Sequence, residues 1–405
     1  MKREFIDPLA WTRADFPLLN RQVDGLPITH LDSGSTAPKP QCVIDAVTRF
    51  YTDYTANVHR GVHGLSEEAT EHFERARHEV ASFLNASPSE IIFTRNTTEA
   101  INLVAHGLKL QPDDEIVFPA SEHHSNYIPW RVNARENPVG LDACGVPLYD
   151  ELESHMGPKT RLVSLAQVSN TLGVVAPVAQ WIAAAHAWNV PALVDASQSA
   201  SHLPIDVKAL DCDFLVTSGH KLLGPSGVGI LYGKRELLES FALYQTGGGM
   251  VKLLADDRFI PNELPSRFEA GTPNIEGVIG LGAAVAYLRA IGMDAVYEHS
   301  RALGQHLVDE LSAFTGVEVL ARDIPLSKRI GLASFSLGKG ALSADTVARQ
   351  LYDRHQILVS GGYHCAHILH HRLNVEGTIR ASTHVFNTHA DIDRLLEGLK
   401  DILET

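Results

Sequence analysis

The segment ALVDASQSASHLPIDVKALDCDFLVTSGHKLLGPSGVG, residues 192–229, decides how this chain is read. Two short apolar runs, ALVD and FLVT, each stop at polar residues, and the glycines at 219, 224, 227 and 229 rule out a helix after the second. Runs of this length bounded by turn residues are buried strands. Similar runs occur at Glu90-IIFT-Arg95, Glu115-IVFP-Ala120 and Leu162-VSLA-Gln167, with amphipathic segments between several of them. In one such segment, Ser66 to Asn85, the residues Ala69, Phe73, Ala76, Val80 and Phe83 recur at steps of four and three, which is one face of a helix. Ser66 is expected to cap that helix, with Glu67 and Glu68 in its first turn. Strands alternating with helices predict an α/β fold, a mainly parallel sheet covered by helices, with its ligand beyond the carboxyl ends of the strands.

The chain has 405 residues, 44% of them hydrophobic, enough for a large domain and a smaller one. With 34 Lys and Arg against 48 Asp and Glu, the net charge of −14 excludes nucleic acid and anionic membrane as main partners and favours a small-molecule enzyme. The longest apolar stretch, Gly277 to Leu288, is too short to span a bilayer and reads as a buried helix. The N-terminal residues lack the apolar core of an export signal, and the four cysteines form no CxxC pair, so a cytoplasmic location with reduced thiols is expected. Residues 245–274 read as a long loop crossing into a second domain of functional importance. Beyond it, helical patterns at Val296–Phe314, Ala344–His355 and Asp391–Leu403 around strands Ile330–Leu337 and Ile357–Ser360 predict a smaller α+β unit.

The opening segment also carries the chemistry. Asp195 ends one strand, and a carboxylate at the lip of a sheet is costly to bury unless a cation, such as a protonated ring nitrogen, sits opposite. Lys221 follows the next strand, on the same sheet edge. A partly desolvated lysine has the lowered pKa that an amine needs to form a Schiff base with an aldehyde. Pyridoxal phosphate is the cofactor that calls for both groups. Its phosphate needs a cup, and Thr97 and Thr98, opening a helix after IIFT, offer hydroxyls and free N–H groups, with Ser218 and His220 to close it.

The runs His30-LDSGSTAPKP, His59-RGVHGLS, Asn96-TTEAINLVA, Ser121-EHHSNYIPW, Val168-SNTLG, Val194-DASQS, Asp211-CDFLVTSGHKLLGPSGVGILYG, Arg267-FEAGTPN, His364-CA and Ile379-RASTHVFNT resemble the group II cysteine desulfurases, the SufS and selenocysteine lyase type. The resemblance implies a fold type I pyridoxal phosphate enzyme: a mainly parallel seven-stranded sheet in a large domain, 29–275, after an N-terminal segment, 1–28, packed on a small C-terminal α+β domain, 276–405. By position it makes Lys221 the Schiff-base lysine that also moves the Cα proton. Asp195 would hold the pyridinium, Gln198 the phenolic oxygen, and His123 would stack on the ring. Thr97, Thr98, Ser218 and His220 would bind the phosphate, joined by Thr272 from the second subunit of a homodimer. Asn170 would lie near the ring oxygen and the substrate, and Arg380 would grip the substrate carboxylate. Cys365, with His364 beside it to favour the thiolate, would take sulfur from L-cysteine as a persulfide, release L-alanine and pass the sulfur to an acceptor protein, for iron-sulfur clusters or another sulfur-containing product. The alternatives are a selenocysteine lyase or related carbon-sulfur lyase that does not need Cys365, and a catalytically silent relative. Two positions depart from the family pattern: Ser360 stands where an arginine is usual, and Asn96 where a glycine is common. His364, His367, His370 and His371 lack a second cysteine or an acidic group at ligand spacing, so no metal is expected.

Overall fold

The computed structural model describes residues 7–338 and 342–404. Its large sheet has seven strands: β1 (Ile91–Thr94), β2 (Glu115–Pro119), β3 (Arg135–Val139), β4 (Thr160–Ala166), β5 (Ala192–Asp195), β6 (Phe214–Ser218) and β7 (Gly229–Gly233). Their order across the sheet is β1-β7-β6-β5-β4-β2-β3, and β7 alone runs antiparallel to its neighbours. The five predicted runs are β1, β2, β4, β5 and β6, and all of β5, β6 and β7 is buried. Burial on both faces explains why these strands read as continuous apolar runs rather than alternating ones.

Helices α1 (Gln41–Asp53), α2 (Gly64–Leu84) and Ile275–Ile291 pack together and share one core with β5 and with α2's Phe73 and Val80. The stretch Gly277 to Leu288 is thus a core helix, as expected. The cap of α2 differs from expectation. His63 is the capping residue, its ring nitrogen accepting from the Ser66 N–H at 3.3 Å, while Ser66 lies inside the first turn and its hydroxyl donates to the Asn57 carbonyl. The loop expected across 245–274 contains a two-stranded hairpin, Val251–Ala255 with Arg258–Pro261, whose Leu254 is 75% exposed.

After a bend of 80° at Gly292, helix Met293–Ala313 enters a second core with an antiparallel four-stranded sheet: Val317–Val319, Leu332–Leu337, Thr378–Ser382 and Ser360–Gly362, in that order. Helices Ala344–His355 and His389–Leu403 cover it. The N-terminal segment ties both parts together: Phe16 packs on Tyr287 and Phe386, and Thr12 donates to the Val385 carbonyl. Among the described residues no single helix is long and apolar enough to cross a membrane.

Candidate active site

The carboxyl ends of β5 and β6 open into a cavity of about 510 Å³. Asp195, Gln198, Ser218, His220 and Lys221 line it from the large sheet, and Ser360, His364, Cys365 and Arg380 line it from the smaller unit. Thr97, Thr98, His123 and Asn170 complete the set. Of the twelve residues singled out from the sequence, only Thr272 is elsewhere, in neighbouring cavities with residues such as Arg60 and Phe268. This chain does not bring Thr272 to its own Lys221.

One end of the cavity is a cup of neutral donors. Helix α3 (Thr97–Gly107) begins there, capped by Asn96, whose side chain accepts from the Glu99 N–H at 2.9 Å. The residue that departs from the family pattern therefore works as an ordinary helix cap. Thr97 Oγ1 lies 2.8 Å from both Ser197 Oγ and Ser218 Oγ, and Thr98 Oγ1 lies 2.7 Å from Ser125 Oγ. Gly229 makes the arrangement possible, because a Cβ there would come within 2.7 Å of the Asn96 backbone. Hydroxyls at a helix N-terminus suit a phosphate.

The other end holds the ionisable groups. Asp195 is 5% exposed, accepts from the Ser197 N–H at 2.8 Å, and burial pushes its carboxyl above the usual range. A carboxyl raised by desolvation gains from a cation brought beside it, and a protonated ring nitrogen is a group that would serve there. Lys221 is lowered to about 8, first by desolvation and then by Arg380, despite the opposing pull of Asp195. His123 is lowered to about 3 by burial and by Lys221, so it is neutral, with Nδ1 accepting from the Ser125 N–H. His220 is lowered to about 4 for the same reasons. This donor set fits pyridoxal phosphate: an amine for its aldehyde, a lone carboxylate for its pyridinium and uncharged hydroxyls for its phosphate.

Cys365 is exposed at the cavity rim. Both His364 and Cys365 have left-handed backbones, with φ of 48° and 56°. The His124 N–H donates to the Cys365 carbonyl at 2.9 Å, and Asn170 Nδ2 donates to the His364 carbonyl at 2.7 Å. The expected help from His364 to the thiolate is overturned. Its pKa is lowered to about 3 by burial, Arg380 and His370, and its Nε2 faces the Thr378 carbonyl, so it brings no positive charge to the sulfur. Arg380, 4% exposed, donates through Nη1 to the Asn170 carbonyl and through Nη2 to Ser35 Oγ.

Sequence reasoning missed Lys39, whose Nζ donates to the Ala37 and His220 carbonyls and thereby holds the backbone just ahead of Lys221. It also missed Ser35, Ser125 and Ser197. Nothing in the spacing of the run LDSGSTAPKP points to a site 180 residues or more away in sequence.

Behind Lys221 lies a knot of buried histidines. His202 is lowered to about 4, and His384 and His299 are lowered as well, in each case mainly by burial. An unfolded chain takes up these protons near pH 6.5, whereas the folded chain refuses them. The stability these histidines contribute is therefore full above pH 6.5 and falls as pH drops toward 4, by about 1.4 kcal/mol per pH unit for each withheld proton. The buried Glu122 carboxyl, pushed up to about 8, has the opposite sign in this window and offsets one histidine. Urea midpoints are expected to fall between pH 7 and pH 5, and His384→Gln to flatten that slope. An equal slope in the variant refutes the assignment.

Comparison with known proteins places these features in context. The family model described as Aminotransferase class-V matches residues 29–395. A cysteine desulfurase of Enterobacter sp. (strain 638) is 42% identical over 405 residues, covering 98% of each chain. The solved cysteine desulfurase of Thermococcus onnurineus NA1 superposes with a TM-score of 0.92 at 35% identity, covering 99% of each chain. The cysteine desulfurase CsdA of Escherichia coli, solved in an S-sulfonic acid form, gives 0.88 at 36% identity and the same coverage.

Proposed function

This chain belongs to the aminotransferase class-V family and is a pyridoxal-phosphate-dependent cysteine desulfurase, and we propose that Lys221 handles the substrate's Cα proton while Cys365 takes its sulfur. The observation that carries this reading is the single cavity in which Lys221, Asp195, Arg380 and Cys365 meet the cup of hydroxyls. When bound, the cofactor supplies an imine-forming carbonyl and an electron sink for the pair released at Cα.

The remaining work belongs to the chain. Asp195 would hold the pyridinium nitrogen, Gln198 and Asn170 would serve the ring oxygen, and His123, neutral, would stack on the ring. Thr97, Thr98, Ser218 and His220 would hold the phosphate, and Thr272 would join them from the second copy of a homodimer. Arg380 binds the α-carboxylate of L-cysteine, which fixes Cα and Sγ between the two reacting groups. Lys221 Nζ, lowered to about 8, exchanges a proton readily near neutral pH and is suited to take the one on Cα. The Cys365 thiolate then attacks the substrate sulfur: the new S–S bond forms, the Cβ–S bond breaks and its electron pair stays on Cβ, which takes up a proton, while Lys221 returns a proton to Cα, so that L-alanine leaves and the persulfide stays on Cys365. The exposed position of Cys365 lets an acceptor protein collect the persulfide. We place this chemistry in the group II type, on the motif HCA at 364–366 and the segment RFEAGTPN at 267–274.

Incubating the holoenzyme with L-cysteine and no reductant is expected to release L-alanine and to add the mass of one sulfur atom to the peptide bearing Cys365. L-alanine release without sulfur on Cys365, or sulfur on Cys42 or Cys144 alone, refutes the assignment.

A further inference from the structure

Arg380 and Asp32 come within 3.7 Å of each other inside the cavity wall, yet they do not close into a bidentate ion pair. Two hydroxyls stand between them. Ser360 faces Arg380 directly across the antiparallel pair of strands, so both side chains leave the same face of the sheet. Ser35 comes from the loop after His30. Arg380 Nη2 donates to Ser35 Oγ at 2.7 Å and lies 3.4 Å from Ser360 Oγ. Ser35 Oγ and Ser360 Oγ are 2.8 Å apart, and each reaches Asp32 Oδ1, at 2.8 and 2.6 Å.

Guanidinium only donates and carboxylate only accepts, so Arg380 donates into the pair of hydroxyls and the hydroxyls donate to Asp32, while between Ser35 and Ser360 either oxygen can be the donor. The chain of hydroxyls has a consequence for the arginine. Its Nε, although buried, has no hydrogen-bond partner among the described residues. A guanidinium drawn fully onto Asp32 would spend its fork on an internal carboxylate, whereas one held off by two hydroxyls keeps Nε and the N–H groups not given to Asn170 and the serines for a ligand. Arg380, Ser35 and Ser360 all border the same cavity.

We propose that Ser35 and Ser360 are positioning residues: together they hold Arg380 away from Asp32 and so keep its guanidinium free to bind the α-carboxylate of an amino-acid substrate. This inference rests on the reading of Arg380 as the carboxylate site. Without the Ser360 hydroxyl, Arg380 and Asp32 close on each other and the substrate carboxylate has to compete with an internal one. The device acts on binding, through Arg380, and does not touch the reacting sulfur.

The test uses holoenzyme and two readouts: desulfuration of L-cysteine, and binding of L-alanine followed by the change in absorbance of the bound cofactor. Ser360→Ala is expected to raise both KM for L-cysteine and Kd for L-alanine by roughly 10-fold, with kcat within about twofold of the parent. Ser360→Thr, which keeps the hydroxyl, is expected to restore both. Adding Asp32→Asn to Ser360→Ala removes the competing carboxylate and is expected to recover affinity relative to the single variant. Should Ser360→Ala fold poorly, Ser35→Ala carries the same expectation. Unchanged affinity in both serine variants, a loss confined to kcat, or no rescue by threonine overturns the proposal. A parent enzyme that binds L-alanine but leaves L-cysteine intact would instead overturn the assigned function, and the L-alanine arm would still decide the role of Ser360.

Discussion

Lys221→Ala is expected to leave a folded protein whose desulfuration of L-cysteine is reduced by roughly 10³-fold or more, as follows when the group that moves the proton is removed. A second measurement makes the result specific. Borohydride reduction of the wild-type holoenzyme should fix the cofactor covalently to the peptide containing Lys221, and the variant should carry none. The contrast matters because two amines lie close together here. Lys39 is also lowered to about 8 by desolvation, and it bonds the carbonyl of the residue before Lys221. Lys39 Nζ is occupied by two carbonyls at 2.5 and 2.9 Å, however, while Lys221 borders the cavity that holds Asp195. Cofactor fixed to Lys39, or retained covalently in Lys221→Ala, would falsify the assignment.

The parts of the fold that could be read in advance are those where one physical signal dominates. Strands β5 and β6 are buried on every residue, so their apolar runs were unambiguous. Strand β3, RENPV, was invisible because it is an edge strand: its polar side chains and Pro138 are tolerated only where one side of the ladder is unpaired. The hairpin at 251–261 was hidden in a glycine-rich stretch whose strands are largely exposed and so carry no burial pattern. At the site, Asp195 and Lys221 could be placed because adjacent parallel strands bring their carboxyl ends to one edge. The Ser35, Asp32 and Ser360 contacts could not, since they join segments more than 320 residues apart by side chains alone. His364 illustrates a different failure. Its neighbourhood to Cys365 in sequence suggested a charge partner, but the left-handed backbone turns its ring to Thr378 and burial keeps it neutral.

That same backbone makes Cys365→Ala a clean probe of the sulfur. Two successive non-glycine residues in the left-handed region cost on the order of 1–2 kcal/mol each. The surrounding structure offsets this through main-chain contacts: His124 N–H to the Cys365 carbonyl, and Asn170 to the His364 carbonyl. Neither contact uses the Cys365 side chain, so alanine can occupy the position with the loop intact. Desulfuration of L-cysteine is then expected to fall by at least about 10²-fold, the loss typical of removing a nucleophile that nothing else replaces, while cofactor absorbance and L-alanine binding stay as in the parent. Selenocysteine separates the remaining possibilities: activity of the variant retained on selenocysteine alone points to the selenocysteine lyase alternative, in which Cys365 is not needed, whereas loss on both substrates is the pattern expected of a persulfide-forming Cys365. If the variant desulfurates L-cysteine at the parental rate, the sulfur leaves unaided, and the enzyme is a carbon-sulfur lyase in which Cys365 has no chemical part.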